Sequence, residues 1–252
     1  MFDDLRGKRV LVTGSSRGIG AEVARAFAGS GARVGIVGSG SAGKGEALAN
    51  DLRKAGGEAK AFVADLRTPG ACEALVTAFV AEMGGIDVLI NNAGAMVRRS
   101  NIVDATDELY DEVLDVNVRS ILAMTRSAVP HMKKNGGAII NTGSVAGRDG
   151  GGIGAGLYGA AKAWTHSITR NMAREFAAYG IRVNAVSPGF IDTDFHSKTP
   201  IERKQAMSAA IPLGRPGTAK EVAPVYLFLA SNACSSYITG QVIDVTGGIM
   251  MA

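Results

Sequence analysis

The sequence is poor in the residues that build disulfide frameworks and metal sites, with two cysteines and three histidines among 252 residues. Cys72 lies in a helical segment and Cys234 follows another, so neither a disulfide framework nor a metal cluster is predicted. Both cysteines are interpreted as small buried apolar residues. His131, His166 and His196 lie far apart without metal-ligand spacing, so no metal site is predicted.

The chain also lacks a concentrated charge of one sign and a long apolar run. Its formal net charge is +4 and its pI is about 9.1, but Lys and Arg are dispersed among Asp and Glu, which argues against a nucleic-acid partner. A mildly positive surface still attracts anionic small molecules. The first residues do not resemble a signal peptide, and no apolar run reaches the roughly 18 residues of a membrane span. We therefore expect a cytoplasmic protein without a membrane partner.

Short apolar, β-branched runs alternate with longer amphipathic stretches along the whole chain. Seven strands are predicted, at residues 9–13, 33–37, 59–63, 88–91, 138–142, 181–187 and 242–245. Six helices are predicted between them, at residues 18–29, 43–55, 70–83, 106–134, 157–179 and 219–231. This alternation predicts an α/β fold in which a parallel, doubly wound sheet carries helices on both faces. The length fits a single domain spanning residues 1–252.

Two stretches interrupt the alternation. Residues 149–156 are rich in glycine, which predicts a mobile loop. Residues 190–217 hold three prolines and are interpreted as an irregular excursion from the sheet edge. Both stretches follow strands, on the side of an open α/β sheet where ligands bind, so we expect the binding site to lie there.

A glycine turn, with the sequence TGSSRGIG at residues 13–20, connects the first strand to the first helix. Glycine lets the backbone turn tightly and approach a pyrophosphate closely, and a helix N-terminus offers unpaired N–H groups and a favourable dipole to that anion. The turn therefore predicts a dinucleotide site, although glycine turns without this function are also common.

The Gly-x-x-x-Gly-x-Gly spacing of this turn, together with motifs further along, resembles the short-chain dehydrogenase/reductase family. The other motifs are Asn91-Asn92-Ala93-Gly94, Asn117, Ser144, Tyr158-Gly159-Ala160-Ala161-Lys162 and Pro188-Gly189. They occur in the family's order and cover essentially the whole chain. The resemblance implies a single-domain, seven-stranded Rossmann fold with strand order 3-2-1-4-5-6-7. It also implies an oxidoreductase that interconverts a carbonyl and an alcohol with a nicotinamide cofactor.

By resemblance, the cofactor contacts fall on several separate segments. They are Gly14, Ser16, Arg17, Gly18, Ile19 and Gly20 in the glycine turn, Ser39, Asp65 and Leu66 after the second and third strands, Asn92, Ala93 and Gly94 after the fourth, Tyr158 and Lys162, and Pro188, Gly189, Ile191 and Thr193. Asp65 is expected to bond the adenine ring, although a helix N-cap or a turn explains an Asp there equally well.

The end of the second strand indicates which dinucleotide binds. An Asp or Glu there would bond the ribose 2′-hydroxyl of NAD, whereas this strand ends Val37-Gly38-Ser39 and the next acidic residue is Glu46. Arg17 and Ser39 are placed to hold a 2′-phosphate, so NADP(H) is favoured over NAD(H). The alternative is that Arg17 is a solvated loop charge and Ser39 an ordinary turn residue.

Tyr158 and Lys162 are four residues apart and therefore share one helix face. A tyrosine has an ordinary pKa of about 10, and a nearby ammonium would lower that pKa toward neutrality, as general acid–base catalysis requires. A Tyr–Lys pair on a helix surface is the alternative. In the family, the lysine also bonds the nicotinamide ribose, Ser144 hydrogen-bonds the substrate oxygen, and Asn117 helps to hold a water for proton relay. The implied catalytic set is Asn117, Ser144, Tyr158 and Lys162.

The surroundings of Ser144 argue against a serine nucleophile, since the sequence TGSV at residues 142–145 lacks the Gly-x-Ser-x-Gly elbow. Ser144 and Tyr158 are fourteen positions apart, one more than the family commonly shows, with a glycine-rich insert between them. We expect the loop to absorb the additional residue, and the role of the serine depends on it.

The substrate is indicated by charge, because the adjacent Arg98 and Arg99 would suit a carboxylate or sulfonate. A similar pair of arginines would suit relatives that act on sugar acids. The overall sequence, including Lys133, Lys134 and Arg174, equally resembles 3-oxoacyl-thioester reductases. The alternative is that all five are solvated surface charges.

Further substrate contacts are expected at Ser144, Phe190 and His196, the last in a loop that helps to cover the substrate in this family. Phe190 is equally explained as a core residue, and His131 and His166 are interpreted as helix residues near interfaces. A catalytically silent NADP-binding sensor or scaffold is the alternative function, which the intact catalytic set argues against.

The long helices at 106–134 and 157–179 carry apolar positions beyond one stripe, for example Val113, Val116, Val118 and Ile121. This pattern predicts burial against a neighbouring subunit. Relatives form dimers or tetramers through these helices, so a homotetramer is expected, and residues 247–252 are assigned to another interface.

Overall fold

The computed structural model describes residues 2–40, 43–197 and 199–251, so the last residue of the segment assigned to an interface, Ala252, lies outside the described residues. The strands, in chain order, are β1 (Arg9–Val12), β2 (Arg33–Gly38), β3 (Glu58–Val63), β4 (Val88–Asn91), β5 (Gly137–Thr142), β6 (Ile181–Pro188), β7 (Ile191–Asp192), β8 (Gly217–Thr218) and β9 (Val242–Val245). Seven of them form a parallel sheet in the order β3-β2-β1-β4-β5-β6-β9. This order confirms the predicted one.

The helices lie between the strands, on both faces of the sheet. They are α1 (Gly18–Gly29), α2 (Gly43–Lys54), α3 (Pro69–Met83), α4 (Asp107–Leu114), α5 (Ser120–Met132), α6 (Ala146–Asp149), α7 (Gly156–Phe176), α8 (Ile201–Ala209), α9 (Ala219–Ala230) and α10 (Asn232–Ser235). None of the described helices combines the length and the hydrophobicity that a membrane crossing requires.

The central strands are buried on both faces, as their apolar runs predict, and every residue of β4 and β6 is buried, whereas the edge strand β3 has several exposed positions. Val10 and Val12 of β1 pack with residues of α1, α2 and α9, whereas Leu11 between them packs with residues of α3, α5 and α7. The same alternation recurs in β5, where Ile140 and Ile139 join opposite cores. The described residues form one Rossmann-like domain, as predicted.

The helix predicted at 106–134 is observed over 107–132, but with a local irregularity. The side chain of Thr106 accepts a hydrogen bond from the Leu109 amide and so caps the first turn. A π-helical segment, Asp115–Arg119, joins α4 to α5. Inserted π turns are frequent at functional sites, and this one carries the predicted site residue Asn117.

The stretch at residues 190–217 is more regular than predicted. It contains α8 and the two short strands β7 and β8, which pair with each other. The sequence IERKQAMSA of α8 is largely polar and contributes no buried residue, so it has no apolar stripe to predict a helix from. The short helices α6 and α10 span four residues each, too few for a helical period to be recognised.

Two of the residues that predicted a subunit interface are buried within the chain itself. Val113 packs beside Leu109 and Ala161, and Ile121 lies in the core that contains Leu11 of β1. The subunit interface of these helices stays a prediction. Val116 and Val118 are half-buried. Cys72 is fully buried as predicted.

The prediction that Cys234 is buried is wrong, since this residue is only half-buried.

The carboxyl ends of β1, β4, β5 and β6 lie side by side at one edge of the sheet. The direction of strand order reverses between β1 and β4, and such a reversal leaves a crevice in which ligands bind. The loops that leave these four strands carry most of the predicted site residues.

Candidate active site

The glycine turn after β1 is packed directly against the loop after β4. Gly14 has a φ of 62°, and a Cβ on it would lie 2.8 Å from the Cα of Ala93. A Cβ on Gly20 would lie 2.5 Å from the carbonyl oxygen of Gly14 and 2.5 Å from Nδ2 of Asn92. Because real Cβ atoms do not tolerate such contacts, only glycine permits this approach.

Hydrogen bonds between Thr13 and Asn92 hold these two loops together. The hydroxyl of Thr13 accepts from the amides of Asn92 at 2.9 Å and Ala93 at 3.0 Å. In return, Nδ2 of Asn92 donates to the carbonyl oxygens of Thr13 at 2.9 Å and Gly14 at 3.1 Å. The predicted residues Asn92 and Ala93 therefore border the glycine turn.

The residues present suit the pyrophosphate of a dinucleotide. Arg17 is the N-cap of α1 and its side chain makes no capping hydrogen bond, so the first-turn amides at Gly18, Ile19 and Gly20 remain available to an anion. Across the turn, a Cβ on Gly18 would lie 3.8 Å from Cβ of Thr193.

Thr193 thus lies opposite the glycine turn, on the loop that leaves β6. This loop begins at Pro188, the last residue of β6, and continues through Gly189 and the buried Ile191. The crevice between the turn and this loop is therefore bordered by predicted cofactor residues on both sides.

The end of β2 adjoins the glycine turn and holds no acidic side chain. A Cβ on Gly38 would lie 3.3 Å from Oγ of Ser16, which places the two loops in contact. Arg17 and Ser39 are both exposed there. Glu46, the first acidic residue after β2, lies in α2 and pairs with Arg53 at 2.7 Å.

Asp65, predicted to bond the adenine ring, is paired with a neighbouring arginine. Its carboxylate accepts from the side chain of Arg67 at 2.6 to 3.1 Å and from the Arg67 amide at 3.1 Å. These bonds lower the pKa of Asp65. Thr68, not Asp65, is the N-cap of α3, so of the two structural alternatives the turn is the one observed. The next residue, Leu66, is buried.

Tyr158 lies in the first turn of α7, and its side chain is buried. Burial raises the pKa of the Tyr158 phenol to about 12, although a hydrogen bond with the Ser144 side chain acts in the opposite direction. The phenol is therefore protonated at neutral pH. In the loop between Ser144 and Tyr158, positive φ angles at Gly150, Gly151 and Gly154 let the chain turn within its additional length.

Lys162 is buried one helical turn further along α7. Its Nζ donates to the carbonyl oxygen of Thr142 at 2.9 Å and lies 5.6 Å from the centre of the Tyr158 ring. Burial lowers the pKa of Lys162 to about 8. The predicted fall of the Tyr158 pKa toward neutrality is not found in this structure, because the loss of hydration on burial is the largest influence on that pKa.

Asn117 lies against the same loop as Lys162. Its Nδ2 donates to the carbonyl oxygens of Ala95 at 2.7 Å and Val113 at 2.9 Å, and its Oδ1 accepts from the Ala95 amide at 3.2 Å. A Cβ on Gly94 would lie 2.8 Å from this oxygen and 3.0 Å from Nζ of Lys162. Both amide hydrogens of Asn117 are thus used within the protein, and its side chain fixes the loop after β4 to the π-helical segment.

His166 is a buried residue of α7 whose place in the site was not predicted. Its Nε2 accepts from the amide of Ser144 at 3.4 Å, and the ring fills the space where side chains on Gly143 and Gly147 would lie. Burial, together with the charge of Arg148, lowers the pKa of His166 to about 4, so the ring is neutral. Its spacing of four residues beyond Lys162 places it on the same helix face, and this is the signal that would have found it.

The substrate side of the crevice is lined by aromatic and basic residues. A small pocket runs from Tyr158 along Met96 to Arg98. The ring of Phe195 lies 5.7 Å from that of Tyr158, and His196 lies 5.1 Å from Phe195.

Phe190 is buried, and the centre of its ring lies 4.8 Å from that of His196. The structure thus brings the predicted contacts Arg98 and His196 to the side of the crevice where Tyr158 lies. Phe190 contacts the ring of His196, which in turn contacts Phe195 beside Tyr158.

Comparison with known proteins identifies the family of this chain. The family described as enoyl-(acyl carrier protein) reductase matches residues 14–250. The chain belongs to the short-chain dehydrogenase/reductase family. It is accordingly an oxidoreductase that acts on a carbonyl or alcohol group.

Its curated relatives include the 3-oxoacyl-[acyl-carrier-protein] reductases of Vibrio cholerae, 38% identical over 98% of this chain and 99% of the relative, and of Thermotoga maritima, 39% identical over the same shares. A solved structure described as an NADH-dependent reductase responsible for alginate metabolism is 46% identical over 99% of this chain and 100% of its own, with a TM-score of 0.92. A short-chain dehydrogenase of Burkholderia cenocepacia in complex with NADP is 34% identical over 97% and 98%, with a TM-score of 0.90.

Proposed function

We propose that this enzyme is an NADP(H)-dependent reductase that converts the carbonyl group of a small anionic compound to an alcohol. The observation that carries the proposal is the buried, protonated Tyr158, hydrogen-bonded to Ser144 beside the crevice. When bound, the nicotinamide supplies a hydride to the carbonyl carbon. Side chains of this protein bind the carbonyl oxygen and supply the proton.

Tyr158 and Ser144 act on the carbonyl oxygen. The Ser144 hydroxyl donates a hydrogen bond to that oxygen, and the Tyr158 phenol transfers its proton to it, so that the alcohol is formed and a tyrosinate remains. Below pH 8 the Lys162 ammonium is charged and stabilises this tyrosinate. The raised pKa of Tyr158 suits the reductive direction, because the phenol begins as an acid.

Asn117 is a positioning residue in this proposal. Its side chain has no amide hydrogen left for the predicted water, because both are bonded to Ala95 and Val113. It holds Gly94 against Lys162 and thereby fixes the wall of the site.

The preference for NADP(H) rests on the end of β2. Ser39 and Arg17 are exposed beside Ser16, and Glu46 is engaged by Arg53. An arginine and a serine suit a 2′-phosphate, and no carboxylate is present to bond a 2′-hydroxyl. One relative is described as NADH-dependent and another was solved with NADP, so both dinucleotides occur among the relatives of this chain.

The anionic character of the substrate rests on Arg98, which lines the same pocket as Tyr158. A sugar acid fits this charge, and the relative described as a reductase of alginate metabolism is consistent with it. The second candidate, a 3-oxoacyl thioester, is favoured by the curated relatives.

The basic residues that resemble those of thioester reductases lie far from Tyr158 within the chain. Arg174 follows Tyr158 by sixteen residues of α7, which corresponds to about 24 Å. Lys133 lies at the far end of α5 and stacks 4.5 Å from the centre of the Tyr179 ring. Within one chain, these cations cannot guide an acyl group to Tyr158, so the small anion is favoured.

The test is a spectrophotometric screen of NADPH oxidation and NADP⁺ reduction against sugar acids, polyols and 3-oxoacyl thioesters. We expect keto sugar acids to be reduced, and Tyr158→Phe to lower kcat by about 10²- to 10⁴-fold while dinucleotide binding persists. Turnover unaffected by Tyr158→Phe would contradict the mechanism. Binding of NADPH without turnover of any compound would favour a sensor instead.

A further inference from the structure

Two arginines from different segments meet at the glycine-rich loop between α6 and α7. Arg99, on the loop after β4, donates from Nη1 to the carbonyl oxygen of Ile153 at 3.0 Å. Arg203, on α8, places Nη2 2.8 Å from where a Cβ on Gly152 would lie. Both guanidinium groups thus contact consecutive residues of this loop.

The two arginines have no carboxylate partner among the residues that the structure describes. At least eight other arginines in that part of the chain pair with Asp or Glu. Burial and the positive charge of Arg203 both lower the pKa of Arg99, with no acidic group acting in the opposite direction. Two neighbouring guanidinium groups without a carboxylate partner are suited to bind an anion.

The same cluster extends toward Tyr158. Burial lowers the pKa of His196, and the charges of Lys204 and Arg99 lower it further, opposed only by Asp192. His196 contacts Phe195, whose ring contacts that of Tyr158. The cations therefore lie at the outer end of a row of side chains that leads to the reacting hydroxyl.

We propose that Arg99 and Arg203 together bind the carboxylate of the substrate, several bonds away from the carbonyl group that Tyr158 protonates. This inference rests on the proposed function and names the side chains that hold the anion. Two guanidinium groups present paired N–H donors that match the two oxygens of a carboxylate. Because Arg203 lies on α8 and Arg99 on the loop after β4, one carboxylate would bridge both segments over the pocket.

The test compares 5-ketogluconate with its neutral amide as substrates of the wild type, Arg203→Ala and Arg203→Lys. We expect Arg203→Ala to raise KM for the acid by about 10- to 100-fold, with a smaller change in kcat and little change for the amide. Arg203→Lys should recover part of the loss, since it restores charge without the planar fork. Lys220→Ala, at an exposed site on α9, is the control and should change neither substrate.

A double-mutant cycle tests whether the two arginines act together. If they share one carboxylate, Arg99→Ala with Arg203→Ala should raise KM by less than the product of the single effects. Equal effects of Arg203→Ala on the acid and the amide would overturn the proposal while leaving the reductase activity established.

A measurement of gluconate binding tests the arginine pair independently of the proposed reductase activity. If the wild type reduces no carbonyl compound, the proposed function fails, and calorimetric titration of gluconate in the presence of NADP⁺ decides the site alone. Weaker gluconate binding by Arg203→Ala than by the wild type would support the arginine pair. Equal binding by both, or binding by neither, would overturn it.

Discussion

At the glycine-turn end of the crevice backbone packs against backbone, whereas at the Tyr158 end side chains from several loops face one another. Gly14 and Gly20 contact the loop after β4 so closely that no Cβ fits, and Thr13 and Asn92 exchange hydrogen bonds across the gap. At the other end, Arg99, Arg203 and His196 come from loops and from the short helix α8. The first end is therefore held rigid by close backbone contacts. The second end carries positive side chains that an anionic ligand would neutralise.

The largest expected effect is that of a single methyl group at the rigid end. Gly20→Ala should destabilise the fold by about 2 kcal/mol, since a Cβ there overlaps the Gly14 carbonyl oxygen and must displace it. The displaced turn should also weaken dinucleotide binding by about 100-fold, because small misplacements at a binding site are costly. Urea denaturation and fluorescence titration with NADPH measure the two effects.

Gly29→Ala, in the last turn of the same helix, is the matched control. A Cβ on Gly29 meets nothing within 4 Å, so this substitution should be neutral or stabilise by about 0.5 to 1 kcal/mol. Equal behaviour of the two variants would mean that the close contact at Gly20 does not determine the geometry of the turn.

Cofactor preference should respond next, and only at the glycine-turn end. Arg17→Ala should lower kcat/KM for NADPH by about 10- to 100-fold through the loss of one charge-assisted bond, with little change for NADH. Ser39→Asp should act in the same direction and also favour NADH, since its carboxylate would repel a 2′-phosphate. An unchanged ratio of the two kcat/KM values in both variants would contradict the assignment of these side chains.

Much of the rigid end could be predicted from the sequence, because close backbone approach requires glycine and buried strands require apolar runs. The strand order and the cofactor role of Asn92 are implied by the family resemblance and not by those constraints. At the other end, α8 has no apolar stripe, and Arg203 could not be linked to Arg99 without knowing how the chain returns over the sheet. The raised pKa of Tyr158 depends on burial, which spacing along a helix does not reveal.

His166 accepts a hydrogen bond from the Ser144 amide, and its effect on stability should depend on pH. The pKa of His166 is lowered from 6.5 to about 4 in the folded chain, so between these values the unfolded chain binds more protons and stability falls as the pH falls. The loss from pH 6.5 to pH 4 should be smaller in His166→Leu than in the wild type by about 2 kcal/mol. Urea denaturation at several pH values measures it.

His131→Leu, at an exposed position, is the control and should leave the pH dependence as it is in the wild type. In His166→Gln the side-chain oxygen replaces the acceptor for the Ser144 amide, so its kcat should exceed that of His166→Leu. A kcat that is the same in both variants would show that the ring only fills space.

The smallest expected effect distinguishes Arg98 from the arginine pair beside it. Arg98 and Arg99 are both exposed, but the charge of Arg98 also acts on Glu108, whereas Arg99 lies near a second cation, Arg203. The attraction of Arg98 for an anion is therefore weaker, and Arg98→Ala should raise KM for 5-ketogluconate only about threefold. The effect should shrink as the salt concentration rises, and a short acyl thioester should be barely affected. Lys134→Ala, also exposed but at the far edge of the sheet, controls for a general change in surface charge. An effect at Arg98 as large as that at Arg203 would mean that the carboxylate lies nearer the loop after β4 than α8.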